Sequence, residues 1–361
     1  LAHHPNWYIR TLVHRYINYL CQNLHLSMNI IIPMAGMGKR MRPHTLTVPK
    51  PLIPVAGKPI VQRLVEDIAQ TTDEKIEEIA FIVGRFGKEV EDMLIRVAEQ
   101  LGAKGKICYQ DEPLGTAHAI LCAGDTLVGH TIIAFADTLF KTDLKIDTSA
   151  DGIIWVNRVD NWKNFGVVEL NDDGVITNFV EKPDHFVSDL AIIGVYYVKD
   201  GALLRSEMQY LLDNNIKEKG EYQLTNALES MKRKGFRFTP GKVEEWLDCG
   251  NKDATVYTNQ RVLELKSGKE NLIAASVKKT NTVIIEPCYI GENVVIENSV
   301  IGPHVSIGSN STVKNSLIRN SILQNSVTIA DKNIANSMVG SFVILQGKPD
   351  DLSLSDYSTQ A

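Results

Sequence analysis

Before Glu66 the chain contains no aspartate or glutamate. The same stretch carries Lys39, Arg40, Arg42 and Lys50 close together, so their charge lacks a neighbouring carboxylate and suits an anionic ligand. No run of about 18 apolar residues exists, which excludes a spanning helix and gives no reason to expect a membrane partner. Cysteine is sparse: Cys21, Cys108, Cys122, Cys249 and Cys288 are scattered, with no C-x-x-C. Such a set argues against a disulfide framework and suits reduced thiols in a cytoplasm. The net charge of -5 argues against general nucleic-acid affinity, so the basic segment reads as a local site. The glycine loop within it also lacks both common phosphate-binding spacings, G-x-x-x-x-G-K-[ST] and G-x-G-x-x-G.

What is present there is Gly36-Met37-Gly38-Lys39-Arg40-Met41-Arg42-Pro43, directly after the apolar run Asn29-Ile30-Ile31-Ile32-Pro33. Glycines let a backbone turn tightly and approach a ligand closely. A strand, a glycine loop and nearby cations together describe a pocket for a polyphosphate. A bare G-x-G, taken alone, fits an ordinary tight turn equally well.

At about 150 residues per domain, 361 residues suggest two or three domains. Residues 1–27 show helical spacing at Ile9, Leu12, Val13, Tyr16, Ile17, Leu20 and Leu24, yet polar residues interrupt any signal-peptide core. They read as an upstream extension outside the fold. A helix docked on a partner and an organelle-targeting segment are the competing readings.

From Met28 apolar, β-rich runs (Asn29–Pro33, Ile79–Gly84, Lys106–Gln110, Thr131–Asp137) alternate with helical periodicity over Ile60–Thr71, Lys88–Leu101 and Thr116–Ala123. That alternation predicts βαβ units and an α/β, Rossmann-like, mostly parallel mixed sheet flanked by helices. Ligands then bind beyond the carboxyl ends of the strands, where the glycine loop, Gln110 and Asp137 all fall. Further on, Phe165–Leu170 and Val175–Glu181 flank the turn Asn171-Asp172-Asp173-Gly174 and predict a hairpin. A strand over Leu190–Val198 follows, then helices over Ala202–Asn214, Tyr222–Arg233 and about Asp253–Lys266.

Beyond Asn281 small apolar residues recur every six positions, or every five where an Asn-Ser pair intervenes: Ile284, Ile290, Ile296, Ile301, Ile307, Val313, Ile318 and onward. A short fixed period of this kind predicts a parallel β-helix, here of three to four coils. The expected domains are an extension (1–27), a catalytic domain (28–267), a linker (268–281), a β-helix (282–346) and a tail (347–361).

The loop continues into Val48-Pro49-Lys50-Pro51-Leu52 and Gly57-Lys58-Pro59. Together these resemble the G-x-G-x-R-[LM]-x-P…PK-P-L…GKP signature of the sugar-1-phosphate nucleotidylyltransferases, the glucose-1-phosphate thymidylyltransferases among them. The repeats resemble the hexapeptide repeats of left-handed β-helices. Two departures stand out: Lys39 replaces a common Thr, and Ala136-Asp137 replaces Gly-Asp.

The resemblance implies nucleotidyl transfer from a nucleoside triphosphate to a sugar 1-phosphate. Catalysis then rests on positioning and on neutralising charge, with Mg²⁺ as cofactor. It implies Arg40 and Lys50 on the phosphates, with Gly36, Gly38 and Lys39 lining the loop. Gln110 and Gly115, within Q-x-x-P-x-G, hold the base. Gln offers both a donor and an acceptor, which fits uracil or thymine, so dTTP or UTP is expected. Glu181-Lys182-Pro183 with Gly166 and Gly194 is implied for the sugar phosphate. Asp137 and Asp248 are implied for the metal. Lys50 as decoration of a Pro-rich turn, the two aspartates as caps, and Glu-Lys-Pro as a plain strand exit are the alternatives. His118 reads as structural.

Three further functions compete with the leading one. Mannose-1-phosphate guanylyltransfer is one. Acyl transfer is a second, because hexapeptide β-helices often carry it, although His304 is the single histidine of the repeats. A non-catalytic regulatory paralogue is the third, although Arg40, Lys50, Asp137, Lys182 and Asp248 are all present. The β-helix is expected to serve homo-oligomerisation or regulation.

Overall fold

The computed structural model describes residues 27–36 and 38–348, with Ser353 and Ser355. The expected extension lies outside the described residues, save Ser27, which opens the first strand. In chain order the strands are β1 (Ser27–Pro33), the short pair β2 (Pro54–Val55) and β3 (Lys58–Pro59), β4 (Lys75–Val83), β5 (Lys104–Tyr109), β6 (His130–Ala134), β7 (Thr138–Lys141), β8 (Gly152–Arg158), β9 (Gly166–Leu170), β10 (Ile176–Glu181), β11 (Leu190–Val198), β12 (Phe238–Lys242) and β13 (Glu245–Asp248). The α-helices are α1 (Ile60–Gln70), α2 (Lys88–Gln100), α3 (Thr116–Leu121), α4 (Gly201–Asp213), α5 (Leu224–Arg233) and α6 (Lys252–Lys266). The chain divides into two compact units, one joining the segment through Gly36 to Leu64–Trp246, the other joining 38–63 to 247–348.

The first unit is built on a mixed sheet in the order β10-β9-β11-β6-β1-β4-β5, with β8 between β11 and β12. Strands β6, β1, β4 and β5 run parallel, as expected for βαβ units. Ile30, Ile31 and Ile32 of β1 are fully buried, because a central parallel strand is covered on both faces and reads as a continuous apolar run. Strand β11 is antiparallel to β6 and overhangs its carboxyl end: Val195 pairs with Ala134, whereas Ala191 pairs with Val167 of β9. The overhang, together with the β9–β10 hairpin, builds a ledge beyond the parallel strands. The hairpin closes at Asn171, whose side-chain oxygen accepts from Val175 N (2.9 Å), while Gly174 takes φ +73°.

The second unit contains the parallel β-helix. Its strands form three sheets of five, four and four, so there are four coils and the first side of a fifth. In one sheet Ile296, Val313 and Ile329 stack in register and are fully buried. The Asn-Ser pairs have a physical explanation. Asn298 and Asn315 adopt positive φ at corners, a conformation Asn tolerates better than most residues. Asn281, Asn298 and Asn315 pass amide bonds from rung to rung at 3.0 and 3.2 Å, and Asn315 donates to Asp331 at 3.0 Å. The serine that follows also bridges rungs: Ser299 Oγ accepts from Ser316 N (3.0 Å).

The segment 38–63 is fastened within this second unit by buried polar groups. Asn259 of α6 accepts from Ala56 N (2.9 Å) and Ser306 Oγ (2.6 Å). Arg63 is 1% exposed; it donates to Val55 O and Ala56 O and forks onto both Glu270 oxygens at 2.8 and 2.9 Å. A buried guanidinium needs this degree of satisfaction to offset its desolvation.

Candidate functional site

Gln110 follows β5, and its N–H donates to Val83 O (3.0 Å), which fixes the residue at the carboxyl end of the parallel strands. The Gln110 amide nitrogen lies 3.4 Å from Gly115 O and 3.2 Å from His118 Nδ1. Gly115 precedes α3 at φ +123°, and a Cβ there would stand 2.5 and 2.6 Å from the backbone of Tyr222. Only glycine fits such an approach, so the motif's Gly is explained by packing as well as by any ligand. Tyr222 N bonds Leu114 O, and Tyr222 O accepts from Ala117 N, both at 2.9 Å, which holds the loop.

Asp137 lies half-buried just past β6, beside Ala136, whose N–H reaches Pro33 O at 3.4 Å. The Ala136 methyl is buried without disrupting that contact. Next to it Thr138 Oγ1 accepts from Trp246 Nε1 (2.6 Å), and the Trp246 ring meets Phe165 edge-on. Gly194 has φ +88° where the β11–β8 register shifts, and its carbonyl accepts from Phe135 N (2.9 Å).

On the ledge, Gly166 opens β9 opposite Glu181, the last residue of β10. A Cβ at Gly166 would meet Glu181 Oε2 at 3.1 Å. Glu181 Oε1 is 3.5 Å from Lys182 Nζ, and Thr225 Oγ1 is 3.5 Å from Glu181 Oε2. Lys182 sits at φ +42°, an unusual conformation for a side chain of its length, and its carbonyl accepts from Lys219 Nζ. Burial holds the Glu181 carboxyl above the ordinary carboxylate range, opposed by the Lys182 ammonium.

That shift has a signed consequence. A carboxyl whose native pKa exceeds its unfolded value binds more protons when folded. Stability therefore falls as pH rises from the unfolded value through the native one, and it stays reduced above. Glu181→Gln is expected to raise the unfolding midpoint at neutral pH and to flatten its fall between mildly acidic and neutral pH. Thermal unfolding across that range checks this, and an equal or lower neutral-pH midpoint contradicts it.

In the second unit Gly38 turns at φ +55°, and Thr45 Oγ1 donates to its carbonyl (2.9 Å). A Cβ at Gly38 would stand 2.9 Å from Lys50 Cβ, so the stem of Lys50 packs beneath the loop. Lys50 is 7% exposed, whereas Lys39 and Arg40 are exposed on the short 3₁₀ turn Lys39–Met41. Asp248 accepts through Oδ1 from Gly250 N (2.9 Å), and its carbonyl accepts from Thr258 Oγ1 (2.8 Å).

Gly36, Gln110, Gly115, Asp137, Gly166, Glu181, Lys182 and Gly194 thus stand on the first unit. Gly38, Lys39, Arg40, Lys50 and Asp248 stand on the second. Within the first, Glu181, Lys182 and Gly166 meet directly, as do Gln110 and Gly115. Within the second, Gly38 and Lys50 meet. Among the described residues no group of three or more His, Cys, Asp or Glu forms a metal cage. Trp246, Thr225, His118 and Asn259 were not among the expected site residues. Their contacts span from 8 to 203 positions of chain and leave no local pattern.

Among the described residues no helix is long and apolar enough to cross a membrane. A family model described as Nucleotidyl transferase matches residues 29–264. The low-salt glycan biosynthesis nucleotidyltransferase Agl11 of Haloferax volcanii is 30% identical over 320 residues, 79% of this chain and 84% of its own. A glucose-1-phosphate thymidylyltransferase of Streptomyces antibioticus is 30% identical over 311 residues, 79% of this chain and 84% of its own. The bifunctional protein GlmU of Methanococcus maripaludis is 32% identical over 268 residues, 72% of this chain but only 60% of its own length. A Bacillus anthracis protein assigned as a glucose-1-phosphate thymidylyltransferase and crystallised with sucrose shares the fold, with a TM-score of 0.54 at 22% identity over 64% of this chain and 94% of its own. The chain belongs to the nucleotidyl transferase family of enzymes.

Proposed function

We propose that this enzyme transfers a nucleotidyl group from dTTP or UTP to a hexose 1-phosphate, with glucose 1-phosphate the leading acceptor. A phosphate oxygen of the sugar 1-phosphate attacks the α-phosphorus. The bond from that phosphorus to the β-phosphate oxygen breaks, pyrophosphate leaves, and a nucleoside diphosphate sugar forms. No covalent enzyme intermediate is required.

The reading is carried by one sheet that offers two recognition groups beyond its parallel strands. Gln110 presents an amide at the end of β5. Glu181 and Lys182 present a carboxylate and an ammonium on the ledge. An amide suits a base edge; a carboxylate accepts from sugar hydroxyls; an ammonium takes the sugar phosphate. Gly166 and Gly194 leave the sugar room to approach the backbone. Arg40 and Lys50 neutralise the triphosphate, with Gly36, Gly38 and Lys39 shaping the loop. Asp137 and Asp248 are the carboxylates assigned to Mg²⁺, which when bound offsets triphosphate charge. Residues 28–267 carry this chemistry in the cytoplasm, and the β-helix over 282–346 serves self-association. The Streptomyces thymidylyltransferase, similar over most of both chains, supports the pyrimidine choice.

Pyrophosphate release, measured with each of the common NTPs against glucose, mannose and N-acetylglucosamine 1-phosphates, tests the assignment. Turnover is expected first with dTTP or UTP. Turnover with GTP alone contradicts the Gln110 reading.

A further inference from the structure

We propose that His118 is a positioning residue that sets base selectivity, by holding the Gln110 amide with its oxygen toward the base. The inference rests on the reading of Gln110 as the base contact. A backbone carbonyl can only accept, so the Gln110 atom 3.4 Å from Gly115 O is the amide NH₂. The same NH₂ lies 3.2 Å from His118 Nδ1, which must then accept. Accepting at Nδ1 is the role of the imidazole tautomer that carries its hydrogen on Nε2.

The frame around this pair is fixed. His118 lies in the first turn of α3, and that turn is tied down by Ala117 N donating to Tyr222 O (2.9 Å). Gln110 is tied to Val83 O. Both acceptors engage the amide nitrogen, so Oε1 is the atom turned away from them. An outward oxygen accepts from a base with a proton on the ring nitrogen of its pairing edge. Uracil and thymine carry that N3–H. Cytosine has a lone pair there, which would face the lone pairs of Oε1. Among pyrimidine nucleotides the pocket thus selects those protonated at that nitrogen. Removing the His118 acceptor leaves only the longer contact to Gly115 O to hold the amide, which lowers the cost of turning it over to offer NH₂ to cytosine.

The test measures kcat and KM for UTP and CTP with glucose 1-phosphate in the unaltered enzyme, His118→Leu and His118→Asn. His118→Leu is expected to narrow the preference for UTP over CTP about tenfold, the scale of one unmatched buried hydrogen bond. The change should appear in nucleotide KM, with the KM for glucose 1-phosphate unchanged. His118→Asn places Oδ1 where Nδ1 stands and should keep the preference. If His118→Leu fails to fold, His118→Ala serves the same comparison. An unchanged UTP-to-CTP ratio overturns the inference and leaves the pyrimidine reading standing. So does an Asn variant as relaxed as Leu. An unaltered enzyme that uses neither UTP nor dTTP overturns the pyrimidine reading and this inference with it.

Discussion

Arg40→Ala is expected to lower kcat by about two to three orders of magnitude, the scale for removing one preorganised group that meets transition-state charge. The fold should not notice. Arg40 is exposed on its 3₁₀ turn, while the neighbouring Met41 is fully buried and its N–H bonds Gly38 O (2.9 Å). The backbone of the loop is further held by Thr45, so truncating Arg40 removes charge and leaves the turn. Surface truncations of this kind usually change stability by under about 0.5 kcal/mol. Arg40→Lys should recover only part of the loss, because an ammonium cannot fork across two phosphate oxygens. Steady-state kinetics beside thermal unfolding checks both halves, and a near-normal rate in Arg40→Ala removes its assigned role.

Asp137→Asn is expected to cost a similar two to three orders of magnitude, by roughly the same electrostatic measure, and to raise the Mg²⁺ concentration needed for half-maximal rate. Asn keeps the size of the side chain and its capacity to accept, and it removes the charge. The supports around the position stay in place: Ala136 N to Pro33 O, and Trp246 Nε1 to Thr138 Oγ1. A large loss of stability would instead make Asp137 a structural group, and an unchanged Mg²⁺ requirement would separate it from the metal. The half-maximal Mg²⁺ concentration, read beside the unfolding midpoint, distinguishes these outcomes.

Much of the architecture was legible because its periods are simple. The alternation of β1, α1, β4, α2 and β5 shows in the residues, and the strand expected over Leu190–Val198 matches β11. The six-residue repeat revealed the β-helix, and the strands from Val283 to Gln346 make four coils, within the expected three to four, while one further strand, Lys278–Thr280, falls in the expected linker. Strand β12 escaped notice for a physical reason: Pro240 and Gly241 read as breakers. The strand tolerates them because it pairs with β8 alone, at the edge of the sheet. Strand β8 is a short apolar run, Ile153 to Val156, with no alternation to mark it.

The candidate site was legible where motifs are contiguous, as at Gly36 to Lys50 and Glu181-Lys182-Pro183. It was not legible where partners meet only after folding. His118 resembled an ordinary helix-start histidine, because its contact with Gln110 arises from the Gly115 turn between them. Arg63 falls within the helical periodicity of Ile60–Thr71, and its burial against Glu270, 207 positions away, has no trace in the sequence. Trp246 stands two positions before Asp248, and nothing in the sequence shows that its indole braces Thr138 beside Asp137.

Phosphorus NMR of one reaction tests the central claim most directly. The unaltered enzyme is mixed with UTP or dTTP, glucose 1-phosphate and Mg²⁺, and the products are followed in time. Pyrophosphate and a sugar-linked diphosphate should appear in equal amounts, each balancing the loss of one triphosphate and one sugar phosphate. Orthophosphate without the sugar-linked diphosphate, or no change with any nucleotide, would contradict the account.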